Sequence, residues 1–254
     1  MNPTALRLPT RTEKPRRNGL TMVIDGGIPV SLFADLVSSA AEYIDLVKFG
    51  WGTAVVTSKL GDKIDVLNAR QMGFYFGGTL FEKYLMQGRL EDFRNFCRTW
   101  SCRHVEVSNG TIALPNSEKA SYVRKLAEEF TVISEVGYKD PDRSEQLPPT
   151  KWIEFIKEDL EAGASLVTLE ARESGKSGIC RPDGALRFGL IEDVLSSGIN
   201  QENLLFEAPT TALQAYFVTR IGSDVNLGNI PAQGVIGLET LRLGLRADTL
   251  AAFE

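Results

Sequence analysis

Thr21-Met22-Val23-Ile24-Asp25-Gly26-Gly27 and then Ile44-Asp45-Leu46-Val47-Lys48-Phe49-Gly50 set the architecture. Each is a short apolar run that ends near a charge and then a glycine. Short runs rich in β-branched and aromatic residues, bounded by turn residues, read as strands. Between the two, Leu32, Phe33, Leu36 and Val37 fall on one side of a helix. Strand, helix and strand make a crossover unit, and its two strands run parallel.

The unit repeats along the chain. Further runs are Gly73-Phe74-Tyr75-Phe76, His104-Val105-Glu106-Val107-Ser108, Thr131-Val132-Ile133-Ser134-Glu135-Val136, Ser165-Leu166-Val167-Thr168-Leu169-Glu170 and Asn203-Leu204-Leu205-Phe206-Glu207. An eighth, weaker run is Asp224-Val225-Asn226-Leu227. Helical spacing appears between them. Residues 54–70 carry Val56, Leu60, Ile64 and Leu67. Thr79 opens a stretch with Glu82 placed for a capping box. Asn116 or Ser117 opens a helix with Val123, Leu126 and Phe130, and Trp152, Phe155, Ile156 and Leu160 mark another. The last contains Ile236, Leu238, Leu241 and Leu245.

Eight such units in 254 residues predict one α/β domain, a (β/α)8 TIM barrel over residues 20–254. An open doubly wound sheet would announce a nucleotide loop after its first strand, and Asp25-Gly26-Gly27-Ile28-Pro29 does not match one. Residues 1–19 include Arg7, Arg11, Lys14, Arg16 and Arg17 and are expected to form a flexible, solvated arm.

Composition narrows the classes. Hydrophobic residues at 43% and charged residues at 24% are ordinary for a globular domain, which argues against long disorder or a fibrous repeat. A net charge of -5 with mixed signs argues against a nucleic-acid binder. Cys97, Cys102 and Cys180 form no C-x-x-C pair, so reduced thiols in a cytoplasmic protein are expected. The apolar runs are too short to span a bilayer. Barrels commonly associate through their outer helices, so a homo-oligomer is expected.

In such barrels the chemistry sits at the C-terminal strand ends. Those positions hold Asp25, Lys48, Glu106, Glu135, Lys139, Glu170, Arg172, Glu207 and Asn226. Strands buried on both faces tolerate charge only where it is paired, metal-bound or open to a site. Several carboxylates at one mouth repel each other without a cation, and clustered carboxylates suit magnesium. Arg172, Lys176 and Arg181 share a loop able to hold an anion, although Gly175-Lys176-Ser177 is no P-loop because Glu170 stands where its first glycine belongs. His104, the only histidine, opens a strand and belongs at the opposite face, which excludes histidine triads and zinc sites. Cys180 has no histidine partner and reads as a spectator.

Several blocks resemble the phosphosulfolactate synthase family. They are Asp45-Leu46-Val47-Lys48-Phe49-Gly50-Trp51-Gly52-Thr53, Gly77-Gly78-Thr79-Leu80-Phe81-Glu82, Val105-Glu106-Val107-Ser108-Asn109-Gly110-Thr111, Glu135-Val136-Gly137-Tyr138-Lys139, Glu170-Ala171-Arg172-Glu173-Ser174-Gly175, Phe206-Glu207-Ala208-Pro209 and Val225-Asn226-Leu227-Gly228-Asn229-Ile230. The resemblance spans about residues 20–246. It implies a barrel and a magnesium-dependent addition of sulfite to phosphoenolpyruvate, giving (2R)-phospho-3-sulfolactate on a route to coenzyme M or sulfolactate. On that basis Glu135, Glu170 and Glu207 are the expected Mg2+ ligands, with Glu106 and Asp25 as alternates. Lys139 is the expected proton donor, its pKa lowered by neighbouring cations. Lys48 and Arg172 would hold the anions, and Asp25, Glu106, Lys176, Asn226, Gly228 and Asn229 would line the substrate, with the backbone of 226–230 as a phosphate cradle. The alternatives are a related barrel adding another nucleophile to an enol phosphate and a non-catalytic, stress-associated homologue.

Overall fold

A computed structural model describes residues 5–253. Eight parallel strands form one sheet in the order β3-β2-β1-β8-β7-β6-β5-β4. They are β1 (Thr21–Asp25), β2 (Leu46–Phe49), β3 (Gly73–Phe76), β4 (His104–Val107), β5 (Thr131–Val136), β6 (Leu166–Leu169), β7 (Leu204–Glu207) and β8 (Leu227–Pro231). The helices are α1 (Val30–Ser39), α2 (Thr53–Val56), α3 (Leu60–Asn68), α4 (Gly78–Met86), α5 (Leu90–Thr99), α6 (Asn116–Ala127), α7 (Pro141–Gln146), α8 (Pro149–Glu161), α9 (Phe188–Ser196), α10 (Thr211–Ile221) and α11 (Val235–Arg242). The chain is a (β/α)8 barrel.

Strands β3 and β4 flank the one seam at which the described residues form no ladder. Side chains cross it instead. The Cys102 thiol donates to the Phe74 carbonyl at 3.3 Å, and the Gly78 amide donates to the Glu106 carboxylate.

Parallel strands place laterally paired residues on the same face of the sheet. Ile24 pairs with Lys48, and Lys48 with Tyr75. Glu106 pairs with Ile133, and Glu135 with Thr168. These residues point into the barrel. Asp25 pairs with Phe49 and faces the helices, where it meets Lys63 of α3. The helix side of the sheet holds an apolar shell of Val23, Val47, Phe49, Phe76, Val167 and Phe206. Its aromatic packing includes Phe206 on Phe217 at 4.6 Å between ring centres.

The helix layer also buries charge. Lys119 on α6 pairs with Asp159 on α8 at 2.7 Å and donates to the Glu135 carbonyl at 2.8 Å. Ser134 donates to the same aspartate. Glu82 on α4 is not the expected capping box, because Gly77 caps that helix. It is buried, and it accepts from Ser108 Oγ and from the amides of Thr111 and Ile112. It thus fixes the loop beyond β4.

Four expectations change. The helix expected over 54–70 breaks at Thr57, whose backbone is extended, into α2 and α3. Helix α11 ends at Arg242, so Leu245 lies beyond it. The eighth strand starts at Leu227, later than expected, so Asn226 precedes it at the opposite end of the barrel. There its amide donates to the Glu202 and Leu204 carbonyls, and its oxygen accepts from the Leu20 amide. Part of the N-terminal segment, residues 11–16, is tied to the barrel. Arg11 pairs with Asp224 and Glu239, Arg16 pairs with Asp45 at 3.0 Å, and Lys14 donates to the Ala41 and Ile44 carbonyls. Residues 1–4 of the expected arm lie outside the described residues.

Candidate active site

Four carboxylates converge where the strands end. Glu106 and Glu135 are next to last in β4 and β5, Glu207 closes β7, and Glu170 follows β6. Each is 1% exposed or less, so water does not offset their mutual repulsion. Two lysines do so in part. Lys48 Nζ lies 2.9 Å from Glu106, 3.5 Å from Glu207 and 3.6 Å from Glu135. Lys139 Nζ donates to Glu135 at 2.7 Å and to Glu170 at 2.6 Å. Backbone amides take three further oxygens: Gly78 donates to Glu106, Ala171 to Glu207 and Arg172 to Glu170.

The electrostatics follow from burial and proximity. Burial would lower the Lys139 ammonium, but Glu135 and Glu170 outweigh it and hold the group well above its ordinary value. The expected lowering by neighbouring cations is therefore corrected: burial and Lys48 do lower the group, but the carboxylates around it outweigh both. Lys48 is held high in the same way, with Glu106 its strongest partner. Burial pushes Glu106 up to about 7, against the pull of Lys48. Glu170 rises well above the carboxylate range through burial and then through Glu135 and Glu207.

Glu135, Glu170 and Glu207 each present one oxygen within 4.8 Å of the others. One Glu135 oxygen is buried without a hydrogen-bond partner. Three hard oxygen donors, with a buried acceptor unfilled, are a donor set that fits a magnesium-like cation.

A cavity of about 210 Å3 opens beside the carboxylates. Of the residues singled out in the sequence, Lys48, Lys139, Glu106, Glu170, Glu207, Arg172 and Asn229 line it. Trp51 completes the wall together with Ile24, Gly78, Thr79, Thr111 and Glu173, and these last five were not anticipated as site residues. Three of the lining residues, Trp51, Arg172 and Asn229, hold left-handed backbones at φ 50°, 60° and 53°. Non-glycine residues persist there only where the surroundings impose it, and such strain gathers at functional sites.

The loop that carries Arg172 is tightly fixed. Gly178 folds under Glu170, and the Ile179 amide donates to the Glu170 carbonyl at 2.8 Å. Ser177 donates to the Tyr138 carbonyl. The family model described as (2R)-phospho-3-sulfolactate synthase (ComA) matches residues 9–248. The chain belongs to the phosphosulfolactate synthase family. The phosphosulfolactate synthase of Bacillus subtilis (strain 168) is 48% identical over 249 residues, which cover 98% of this chain and 99% of that protein. The phosphosulfolactate synthase of Methanothermobacter thermautotrophicus (strain Delta H) is 39% identical, covering 98% of each chain. Among solved structures, the YdjI aldolase of Escherichia coli K12 superposes with a TM-score of 0.56 at 14% identity, over 93% of this chain and 89% of that one. That likeness is one of fold.

Not every expected residue reaches the cavity. Asp25 is tied to Lys63 and to the Gly27 and Ile28 amides, so it shapes the loop after β1. Lys176 is exposed on the rim and does not line the cavity. Asn226 is at the far end of the barrel. Gly228 lies inside it, where an added Cβ would come within 2.8 Å of Met22 Cε. His104 starts β4 at the opposite face, as the sequence implies. No helix among the described residues is long and apolar enough to cross a membrane.

Proposed function

We propose that this protein adds sulfite to phosphoenolpyruvate in a magnesium-dependent reaction and releases (2R)-phospho-3-sulfolactate. The observation that carries this reading is the trio Glu135, Glu170 and Glu207 with Lys139 bonded across two of its members. The family match supports the same chemistry.

Both substrates are anions, so the site must offset their repulsion. Lys48, Lys139 and Arg172 line one small cavity and supply positive charge there. The sulfite sulfur attacks the methylene carbon, C3, and forms the C–S bond. The π electrons move through C2 onto the substrate carboxylate, and a proton must then reach C2. The phosphate ester stays intact. Glu135, Glu170 and Glu207 would hold Mg2+, which supplies positive charge for the substrate carboxylate as negative charge builds there. Lys139 is held as an ammonium by its glutamate neighbours and delivers the proton from Nζ. Arg172 and Lys48 orient the anionic groups.

The test supplies both substrates with and without Mg2+ and follows the loss of sulfite and of phosphoenolpyruvate together. Equal, magnesium-dependent loss is expected. No consumption of either at high enzyme concentration rejects the reading. Consumption of phosphoenolpyruvate with a different nucleophile from a panel replaces it with a related addition.

A further inference from the structure

Strand β8 carries an irregularity beside the site. Thr21 pairs with Leu227, but Val23 pairs with Ile230. One residue of β1, Met22, therefore faces two of β8, Gly228 and Asn229, which is a bulge. Bulges re-aim side chains, and they recur next to active sites. This one has that effect. Gly228 pairs with Glu207 and shares its inward face, so simple alternation would send Asn229 outward to the helices. Instead Asn229 lines the cavity, with φ at 53°, and Ile230 resumes the outward face beside Val23.

Two further facts concern the side chain. Asn229 is 4% exposed and lines the cavity, and among the described residues neither its Oδ1 nor its Nδ2, the donor an oxyanion would need, has a hydrogen-bond partner. Buried amides are normally satisfied by protein groups. Asparagine tolerates the left-handed backbone better than most residues, yet glycine would hold it free of strain. The chain thus keeps a strained residue and an unsatisfied amide in a cavity that also holds Lys48 and Glu207.

We propose that the Asn229 carboxamide is a specificity-determining ligand for the organic oxyanion substrate, phosphoenolpyruvate. The proposal rests on the assignment of that substrate made above. A carboxamide can present its NH2 to an oxyanion without adding charge to a site already crowded with charge.

Asn229→Gly removes the carboxamide and keeps the backbone conformation. Asn229→Asp keeps the shape and adds a negative charge. Both are assayed with Mg2+ while each substrate is varied separately, and calorimetry follows phosphoenolpyruvate binding without sulfite. For Asn229→Gly, the Kd and KM for phosphoenolpyruvate should rise about ten- to a hundredfold, the loss of one hydrogen bond to a charged group. Asn229→Asp should bind more weakly still. The sulfite KM should stay within about twofold, and the thermal midpoint of Asn229→Gly should not fall, because glycine relieves the backbone. Phosphoenolpyruvate affinity within about twofold of wild type, or a loss that falls on sulfite instead, overturns the proposal. A wild-type protein that binds no phosphoenolpyruvate rejects the substrate assignment first, so the two failures are separable.

Discussion

At the scale of single residues, Lys139 has the best-defined surroundings. Its Nζ bridges Glu135 and Glu170, and their charge keeps it protonated. An acid held this way releases its proton only to a site that has just gained electrons, which C2 would be in the proposed addition. Lys139→Ala should lower kcat by at least about 100-fold, within the range for general acids, while the far-UV circular dichroism stays native. A variant with wild-type turnover would remove Lys139 from the reaction. The sequence marked this lysine by its place beyond a strand. It could not show the sign of its environment, because the two glutamates that surround it come from different strands.

At the scale of elements, the fold was legible wherever a strand followed the simple pattern. Seven runs were found near their true limits, whereas β8 was placed too early. The bulge at Gly228 and Asn229 breaks the alternation there, and a glycine and an asparagine weaken the strand signal. Asp25 was misplaced for another reason. A strand buried on both faces is apolar on both, so composition alone does not reveal which residues point inward. Only the pairing of Ile24 with Lys48 shows that Asp25 points out. Charges on helices are also hard to read. Glu82, Lys63 and Lys119 sit among polar positions that resemble solvent faces, yet all three are buried behind the site.

Two predictions belong to this scale. A Cβ on Gly178, at φ 65°, would lie 1.7 Å from the Glu170 carbonyl oxygen, so Gly178→Ala must displace the loop that carries Arg172. Its KM for phosphoenolpyruvate should rise at least about tenfold, and its thermal midpoint should drop; an unchanged KM would show that this loop does not set the site. The second concerns Glu129, which follows α6. Arg98 and then Arg94, both on α5, hold it down at about 2, against an ordinary 4.5. A depressed carboxylate stabilises the fold above its unfolded value, and the contribution is lost as the pH falls from about 4.5 toward 2. The pair is largely solvated, so Glu129→Gln should cost less than about 1 kcal/mol at pH 7, and the difference should vanish near pH 2 in denaturant titrations. A difference that grows in acid would contradict the assignment.

At the scale of the whole molecule, the barrel encloses unbalanced charge. Glu106, Glu135, Glu170 and Glu207 face Lys48 and Lys139, which leaves two negative charges uncompensated when all six are ionised. Arg172 lies at the rim, 40% exposed along its side chain, and compensates only weakly. Active sites often trade stability for function in this way. Glu170 bears the strain most directly, since burial, Glu135 and Glu207 all oppose its ionisation. Glu170→Gln removes one negative charge and keeps an acceptor for Lys139 or the Arg172 amide. Without metal, the variant should therefore be at least as stable as wild type. With metal the order should reverse. A ligand that binds only the folded state at a hundred times its Kd adds about 2.7 kcal/mol, or about 5–10 °C for a chain of this size. Wild type should gain that shift on saturation with Mg2+, and Glu170→Gln should lose most of it together with turnover. Thermal scans of both proteins across a Mg2+ series read the whole pattern. A variant less stable than wild type without metal would mean that the barrel depends on Glu170 for structure. An equal magnesium shift in both proteins would place the cation elsewhere.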